Sequence, residues 1–263
     1  MSKTMSQVMS KSRILLVGHG SRNEAGNQEI REFSQQWQQK NAQWDIDLCF
    51  IELATPLIAE GLEKAAEKAD CVTVVPLILN AAGHVKEEIP EFIEAATKKH
   101  PNTKFQYAKH LGVNDKILSI MIRSLRSALK ELYFPDPRKT GAIVLARGSS
   151  DRQANGEMAM LSRWLFEMGM VEQVDLAFTG ITNPRLESAV ERQINSGISR
   201  IAILPYYLFT GTLIKRIERQ TELLVEQFPE VSFSLGSYFG FEEEIFQLLK
   251  QRVDSIKERD GNE

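Results

Sequence analysis

The sequence has few of the features that mark secreted, membrane-bound or nucleic-acid-binding proteins. Only two cysteines, Cys49 and Cys71, occur in 263 residues, and their spacing fits no zinc or iron–sulfur motif. No apolar run approaches the roughly 18 residues of a membrane span, and the polar start of the chain lacks the apolar stretch of a secretory signal. A formal net charge of −3 gives no broad basic surface for nucleic acid. We therefore predict a cytoplasmic protein with free thiols, no membrane or nucleic-acid partner, and a disordered leader at residues 1–12.

Short apolar runs alternate with segments of 3.6-residue periodicity along the whole chain. The runs predicted as strands are Ile14–Gly18, Ile46–Ile51, Val72–Leu79, Lys104–Tyr107, Ala142–Ala146, Val174–Phe178, Ile201–Leu208 and Val231–Leu235. The predicted helices include Glu29–Gln39, Pro56–Lys68, Val85–Lys98 and Asp115–Leu132. Because the strand runs are almost continuously apolar, they fit parallel strands that are buried on both faces. The alternation predicts an α/β fold with right-handed crossovers and a doubly wound sheet.

The second half of the chain repeats the first. The matching pairs are ILLVGHGSRNEAGN with IVLARGSSDRQAN, ATPLIAEGLEKA with TNPRLESAVERQ, and VTVVPLILNAAGHVK with RIAILPYYLFTGTLIK. This alignment places Arg147 opposite His19 and Leu213 opposite His84. Several matches in the same order indicate a duplication, with homologous units at residues 13–134 and 135–263. The proline-containing segment Leu132–Thr140 is the predicted linker, since proline disfavours both helix and strand there.

Three ionisable residues of the first unit follow predicted strands. His19 follows the first strand, Glu52 the second, and His84 the third. In a parallel sheet of order 2-1-3-4 these side chains would converge at the carboxyl edge, where such sheets bind ligands. Two imidazoles and a carboxylate suit a first-row divalent metal, and neutral imidazole also accepts protons, so activity should fall at acid pH. Each residue also has a structural alternative, in which its side chain hydrogen-bonds nearby backbone.

The remaining histidines and the glycine-bearing first loop have simpler explanations. His100 is expected to cap a helix C-terminus, whereas His110 would lie in a surface loop or line the cleft mouth. The loop GHGSR lacks the GxGxxG spacing and the lysine of nucleotide-binding loops. Phosphohistidine enzymes usually carry arginine before the histidine, where this sequence has Gly18.

The motifs VGHGSR, FIEL and VPLILNAAGHVKEEIP resemble those of class II tetrapyrrole chelatases, in particular the long two-repeat form of the sirohydrochlorin chelatase (CbiX/SirB) family. The resemblance implies flavodoxin-like strand order and a lyase that inserts Fe²⁺ or Co²⁺ into sirohydrochlorin without ATP, for sirohaem or cobalamin synthesis. It implies that His19 and His84 catalyse and that both bind the metal with Glu52. The divalent metal would be a substrate, and no cofactor would be permanently bound. The sequence lacks the histidine-rich stretch and cysteine cluster of some long cobaltochelatases, which favours iron.

The implied substrate is a flat apolar ring edged by carboxylates, so a cleft with apolar walls and basic rims is expected. Candidate wall residues are Leu79, Ala81, Tyr207, Leu208 and Phe209, and candidate substrate-binding residues are Ser21, Arg22, Lys86, Arg147, Lys215 and Tyr207, with Arg216 as a further rim cation. Solvated cations and ordinary core aromatics are the alternatives. Arginine offers a metal no lone pair, so the second unit should form a wall of the cleft. Single-copy family members form homodimers, which predicts that this fused chain is a monomer. A non-catalytic metal or tetrapyrrole carrier remains the alternative function.

Overall fold

Two parallel four-stranded sheets form the framework of the protein. The computed structural model describes residues 11–133 and 136–260. The first sheet comprises β1 (Ser12–Gly18), β2 (Ile46–Phe50), β3 (Cys71–Pro76) and β4 (Lys104–Tyr107), and the second comprises β5 (Thr140–Ala146), β6 (Gln173–Phe178), β7 (Arg200–Pro205) and β8 (Ser232–Leu235). The strand orders are β2-β1-β3-β4 and β6-β5-β7-β8, which confirms the predicted repeat of doubly wound α/β units.

Eight helices connect or follow these strands in the described ranges. They are α1 (Glu24–Lys40), α2 (Ile58–Ala66), α3 (Ile89–Lys99), α4 (Asp115–Glu131), α5 (Arg152–Glu167), α6 (Leu186–Asn195), α7 (Thr212–Gln227) and α8 (Glu243–Asp260). A π-helical turn at His84–Glu88 precedes α3, and a short 3₁₀ turn, Pro137–Lys139, precedes β5. No helix in the described part of the chain is long and apolar enough to cross a membrane.

The predicted leader and most of the predicted strands differ from the structure at their ends, and the third strand of each unit differs most. Residues 1–10 of the leader lie outside the described residues, whereas the Lys11 carbonyl accepts hydrogen bonds from Asp70 and Cys71, and β1 begins at Ser12. The third strand of each unit ends at Pro76 or Pro205, three residues before its predicted end. Proline has no N–H group with which to continue the ladder. The first strand of each unit lies beside the third strand and ends one residue after the residue that is paired with this proline.

The helices bury both faces of each sheet. On the outer faces, α2 and α3 pack against the first sheet and α6 and α7 against the second, forming two separate apolar clusters. Between the sheets, α1, α4, α5 and α8 build one continuous core with side chains from both halves of the chain. The largest core of the molecule is therefore shared between the two repeats.

The last helix of each unit packs on the sheet of the other unit. Helix α4 lies against β7 and β8, and α8 lies against β3. Ser234 in β8 donates a hydrogen bond to Glu131 at the end of α4, with an Oγ–Oε2 distance of 2.5 Å. In the reciprocal position, the Arg252 guanidinium of α8 donates to the carbonyls of His110 and Leu111, at 3.0 and 2.7 Å. The chain boundary near residue 134 thus separates the sheets but does not separate the helices that cover them.

Candidate active site

The three ionisable residues singled out in the first unit lie together at the carboxyl edge of the first sheet. One ligand atom from each of His19, Glu52 and His84 lies within 4.8 Å of the others. The two imidazole rings meet edge to face, with centroids 4.7 Å apart, and His19 Nδ1 is 3.8 Å from Glu52 Oε1. The arrangement arises because β1 lies between β2 and β3, so that the loops following these strands are adjacent.

Gly20 allows the first two loops to approach each other. Its φ of +89° is strained for any residue with a side chain, and a Cβ at this position would lie only 1.8 Å from the Glu52 carbonyl oxygen. The backbone of Glu52 is held there by its N–H, which donates to the His19 carbonyl at 3.1 Å. Gly148 repeats the feature in the second unit, with φ of +86° and the Gly180 carbonyl 2.3 Å from a Cβ. The glycine of GHGSR is therefore required by backbone geometry.

A side-chain amide fixes the loop that carries His19. Asn27 Oδ1 accepts the Ser21 N–H at 2.8 Å, and Asn27 Nδ2 donates to the Ser21 carbonyl at 2.9 Å. Ser149 and Asn155 repeat this pair of bonds in the second unit. The Ser21 hydroxyl, predicted to bind substrate, accepts the N–H of Asn23 at 3.1 Å. In the structure, Ser21 thus contacts its own loop.

The hydrogen bond of His19 Nδ1 leaves the lone pair of Nε2 on the cleft side of the ring, where the Arg147 guanidinium contacts it. Nδ1 lies 3.0 Å from the Gly20 carbonyl, which only accepts, so Nδ1 carries the proton and Nε2 keeps its lone pair. Burial lowers the pKa of His19 below its usual 6.5, and the nearby His84 and Arg147 lower it further, while the Gly20 hydrogen bond and Glu52 oppose them. The net lowering of the His19 pKa favours the neutral ring, which binds a metal or accepts a proton.

Glu88 orients the second histidine and was not identified from the sequence. The π-helical turn places Glu88 on the same face as His84, with 2.5 Å between Oε2 and His84 Nδ1. Carboxylates in this position fix the tautomer and orientation of a metal-binding imidazole. The i,i+4 spacing of HVKEE was the available signal, because a histidine that opens a helix faces the residue four positions later.

A cleft of about 670 Å³ opens beside the histidines and has walls from both units. Of the predicted wall residues, Leu79, Tyr207 and Leu208 line it, whereas Ala81 and Phe209 are not among the lining residues. Phe209 instead packs against Phe33 and Phe241 in the shared core. Sequence reasoning missed the lining residue Ile181, whose backbone is strained (φ +65°). It also missed Asn80, whose buried Oδ1 accepts no hydrogen bond from the described residues. Neither feature has a recognisable signal in the sequence.

Only one of the predicted rim cations lines the cleft. Arg147 reaches His19, with 3.4 Å between Nη1 and Nε2. Lys86 instead bridges the two units by donating to Asp151 at 2.5 Å, and Lys215 pairs with Glu218 on its own helix. Arg22 is exposed on the first loop, and neither it nor Arg216 is among the lining residues.

The other two histidines lie apart from this site. His100 is the C-cap of α3, as predicted, and its N–H donates to the Ala96 carbonyl. The predicted surface loop at His110 is wrong, because the residue is buried beneath α8. Burial lowers the pKa of His110 to about 4, with help from the charges of Lys109, Arg252 and Lys86.

The equivalent cleft of the second unit is narrowed. Phe209 takes the place of Asn80, and its ring packs against Phe33 and Phe241. The Thr210 carbonyl lies 2.5 Å from where a Cβ on Gly26 would be, and the Thr210 N–H donates to Glu29 at 2.8 Å. The alignment places Ala154 at the position of Gly26, and Ala154 lines the open cleft. In the described residues, this packing narrows the space that is equivalent to the open cleft.

Sequence comparison connects this geometry to a known family. The family model CbiX matches the chain twice, over residues 13–128 and 141–256. This chain belongs to the CbiX family. Both matches fall within the two units predicted from the internal repeat, so the duplication and the family assignment describe the same pair of segments.

Sequence relatives and a solved structure match most of this chain. The chain is 36% identical over 246 residues to a sirohydrochlorin cobaltochelatase of Priestia megaterium, covering 92% of this chain and 78% of the relative. It is 27% identical to a sirohydrochlorin ferrochelatase of the same organism, covering 95% and 92%. The solved structure described as SirB from Bacillus subtilis with Fe³⁺ superposes with a TM-score of 0.79 at 29% identity, covering 93% and 95%.

Proposed function

We propose that this protein is a sirohydrochlorin chelatase, a lyase that inserts Fe²⁺ or Co²⁺ into sirohydrochlorin without ATP, for sirohaem or cobalamin synthesis. The observation that carries the proposal is the grouping of His19, Glu52 and His84 within 4.8 Å at the edge of a cleft of about 670 Å³ with apolar walls. Membership of the CbiX family and the names of its relatives support the same activity.

In the proposed chemistry the histidines bind the metal ion and accept protons. A divalent ion must exchange water for ring nitrogens, and two pyrrole protons must leave the macrocycle. Neutral imidazoles bind first-row metals and also accept protons, and His19 presents an unprotonated Nε2 for either task. Glu52 supplies a carboxylate beside His19, and Glu88 holds His84 in position. Each histidine can accept a pyrrole proton and pass it to water, and each can bind the metal while its ring nitrogen is unprotonated.

The second unit would contribute walls and a cation to substrate binding. Tyr207 and Leu208 present apolar surface on one side of the cleft, and Leu79 does so on the other. Burial raises the pKa of the Tyr207 phenol to about 12, so the ring stays uncharged against the macrocycle. Arg147 would meet a substrate carboxylate, and the unpaired Asn80 Oδ1 would accept a hydrogen bond from the substrate. Arg22, Lys86 and Lys215 would take part only after reorienting toward the cleft.

The identity of the metal stays open between iron and cobalt. The sequence alone favours iron, whereas the named relatives include both a cobaltochelatase and ferrochelatases. The same nitrogen and oxygen ligands accept either ion, so supply in the cell contributes to the choice. The predicted cytoplasmic location and lack of a nucleic-acid partner also stay predictions.

Anaerobic incubation with sirohydrochlorin and either Fe²⁺ or Co²⁺ tests the proposal through the visible spectrum. We expect wild-type protein to accelerate insertion and His19→Ala or His84→Ala to reduce the rate at least about 100-fold, since general acid–base catalysis alone contributes on the order of 10²–10⁴. His100→Ala, far from the cleft, is the matched control and should retain the wild-type rate. Binding of metal or tetrapyrrole without acceleration would instead favour the carrier function.

A further inference from the structure

Arg147 contacts the nitrogen through which His19 would bind the metal. Its Nη1 lies 3.4 Å from His19 Nε2. Since His19 Nδ1–H donates to the Gly20 carbonyl, Nε2 has the one lone pair that remains on the ring. The guanidinium therefore donates its hydrogen bond to the lone pair that a metal ion requires.

The metal ion and the guanidinium exclude each other at this position. A metal–imidazole bond of about 2.1 Å along the same direction would leave well under 2 Å to the arginine nitrogen. Both groups are positively charged, so they also repel each other at short range. A metal ion therefore gains His19 as a ligand only after the Arg147 side chain has moved.

Nothing in the described residues holds Arg147 in another place. Its side chain is exposed, and no carboxylate of the described chain forms an ion pair with it, in contrast to Lys86 with Asp151 and Lys215 with Glu218. A guanidinium in this situation is a strong site for an incoming carboxylate, which it binds with two parallel hydrogen bonds. The substrate of the proposed function carries such carboxylates around an apolar ring.

We propose that Arg147 makes metal binding conditional on the tetrapyrrole. In the substrate-free protein the guanidinium occupies the His19 lone pair. A carboxylate of the entering tetrapyrrole draws Arg147 away and frees Nε2 for the ion. This inference rests on the proposed function and adds an order of events, with tetrapyrrole first and metal second. The order also weakens the binding of a free ion while no macrocycle is present to receive it.

Opposite changes in two affinities test the inference. Arg147→Met removes the charge at similar length, so the Kd for Co²⁺ of the substrate-free protein should fall at least tenfold, about 1.4 kcal/mol. The Kd for metal-free sirohydrochlorin, measured by fluorescence, should rise at least tenfold because a carboxylate partner is lost. A variant with a damaged fold would bind both ligands more weakly. Arg152→Met, which removes an exposed cation from the first turn of α5, is the matched control and should change neither constant.

The double variant Arg147→Met/His19→Ala separates the inference from the proposed function. The tighter Co²⁺ binding of Arg147→Met should disappear when His19 is absent. If His19→Ala abolishes Co²⁺ binding while Arg147→Met leaves its Kd unchanged, the conditional binding is wrong and the metal site stands. If His19→Ala leaves Co²⁺ binding intact, the metal site and the proposed function both fail.

Discussion

Opposite charges act on the ring of His19 from two sides. Glu52 Oε1 lies 3.8 Å from Nδ1, and the Arg147 guanidinium lies 3.4 Å from Nε2. Glu52 belongs to the same unit as His19. Arg147 comes from the other unit, where it holds the position equivalent to His19. Arg147 of the second unit therefore affects the chemistry of His19 in the first.

The pKa of His19 should respond in opposite directions to removal of these two charges. In the wild-type protein, burial holds the pKa below 6.5, so the ring stays neutral to lower pH than a free histidine. Arg147→Met should raise the pKa because a repelling cation is lost, and Glu52→Gln should lower it because an attracting anion is lost. NMR titration of the imidazole resonances measures all three values. Equal values in the two variants would contradict the geometry described for this residue.

At the scale of the element, α4 and α8 are exchanged between the repeats. Each helix is covalently part of one unit and packs on the sheet of the other. A unit cut from the chain would keep its own last helix but lose the helix that covers the inner face of its sheet. Two copies of such a fragment would restore the cover by exchanging helices with each other.

The fragment 11–133 should therefore form a dimer. Helix α4 of each copy would pack on the exposed sheet of the other, as it packs on β7 and β8 in the whole chain. Sedimentation equilibrium measures the mass, with the full chain, which is predicted to be a monomer, as the reference. In a fragment with Leu125→Asp, a charge would replace a fully buried side chain of α4, and the dimer should not form. A stable, folded monomer of the unmodified fragment would contradict the exchange of helices.

At the scale of the molecule, the continuous core between the sheets couples the two halves. Leu16 in β1 and Leu204 in β7 are both fully buried in this one cluster, although they come from different repeats. Loss of either half would expose the apolar surface of the other. The two repeats should consequently unfold as one unit, although each resembles a complete α/β domain in sequence.

Calorimetry should show a single unfolding transition for the whole chain. Leu16→Ala and Leu204→Ala should each lower the free energy of unfolding by about 2–5 kcal/mol, the usual cost of such a cavity, and each should shift the same transition. Leu223→Ala, at a side chain that is 53% exposed, should change stability by no more than about 0.5 kcal/mol. Two transitions, each sensitive to one core variant only, would show that the repeats unfold independently.

The sequence predicted the parts of this molecule that depend on local pattern or on the internal repeat. The apolar period located β4 at its observed ends, and strand order together with the strand ends brought His19, Glu52 and His84 together. It did not predict the exchange of α4 and α8, because an amphipathic pattern marks which face of a helix is buried but not which sheet covers it. The position of Lys86 was missed for a similar reason, since its partner Asp151 belongs to the other unit.

The narrowed second cleft also limits how this chain could change in future. Histidines at positions 147 and 213 would restore the lost ligand types but not the room for a macrocycle, because the Phe209 ring packs against Phe33 and the Thr210 carbonyl occupies the space beside Gly26. A second reaction centre would therefore require further substitutions at these packed positions as well. The packing of Phe209 and Thr210 thus confines the candidate site to one of the two repeats.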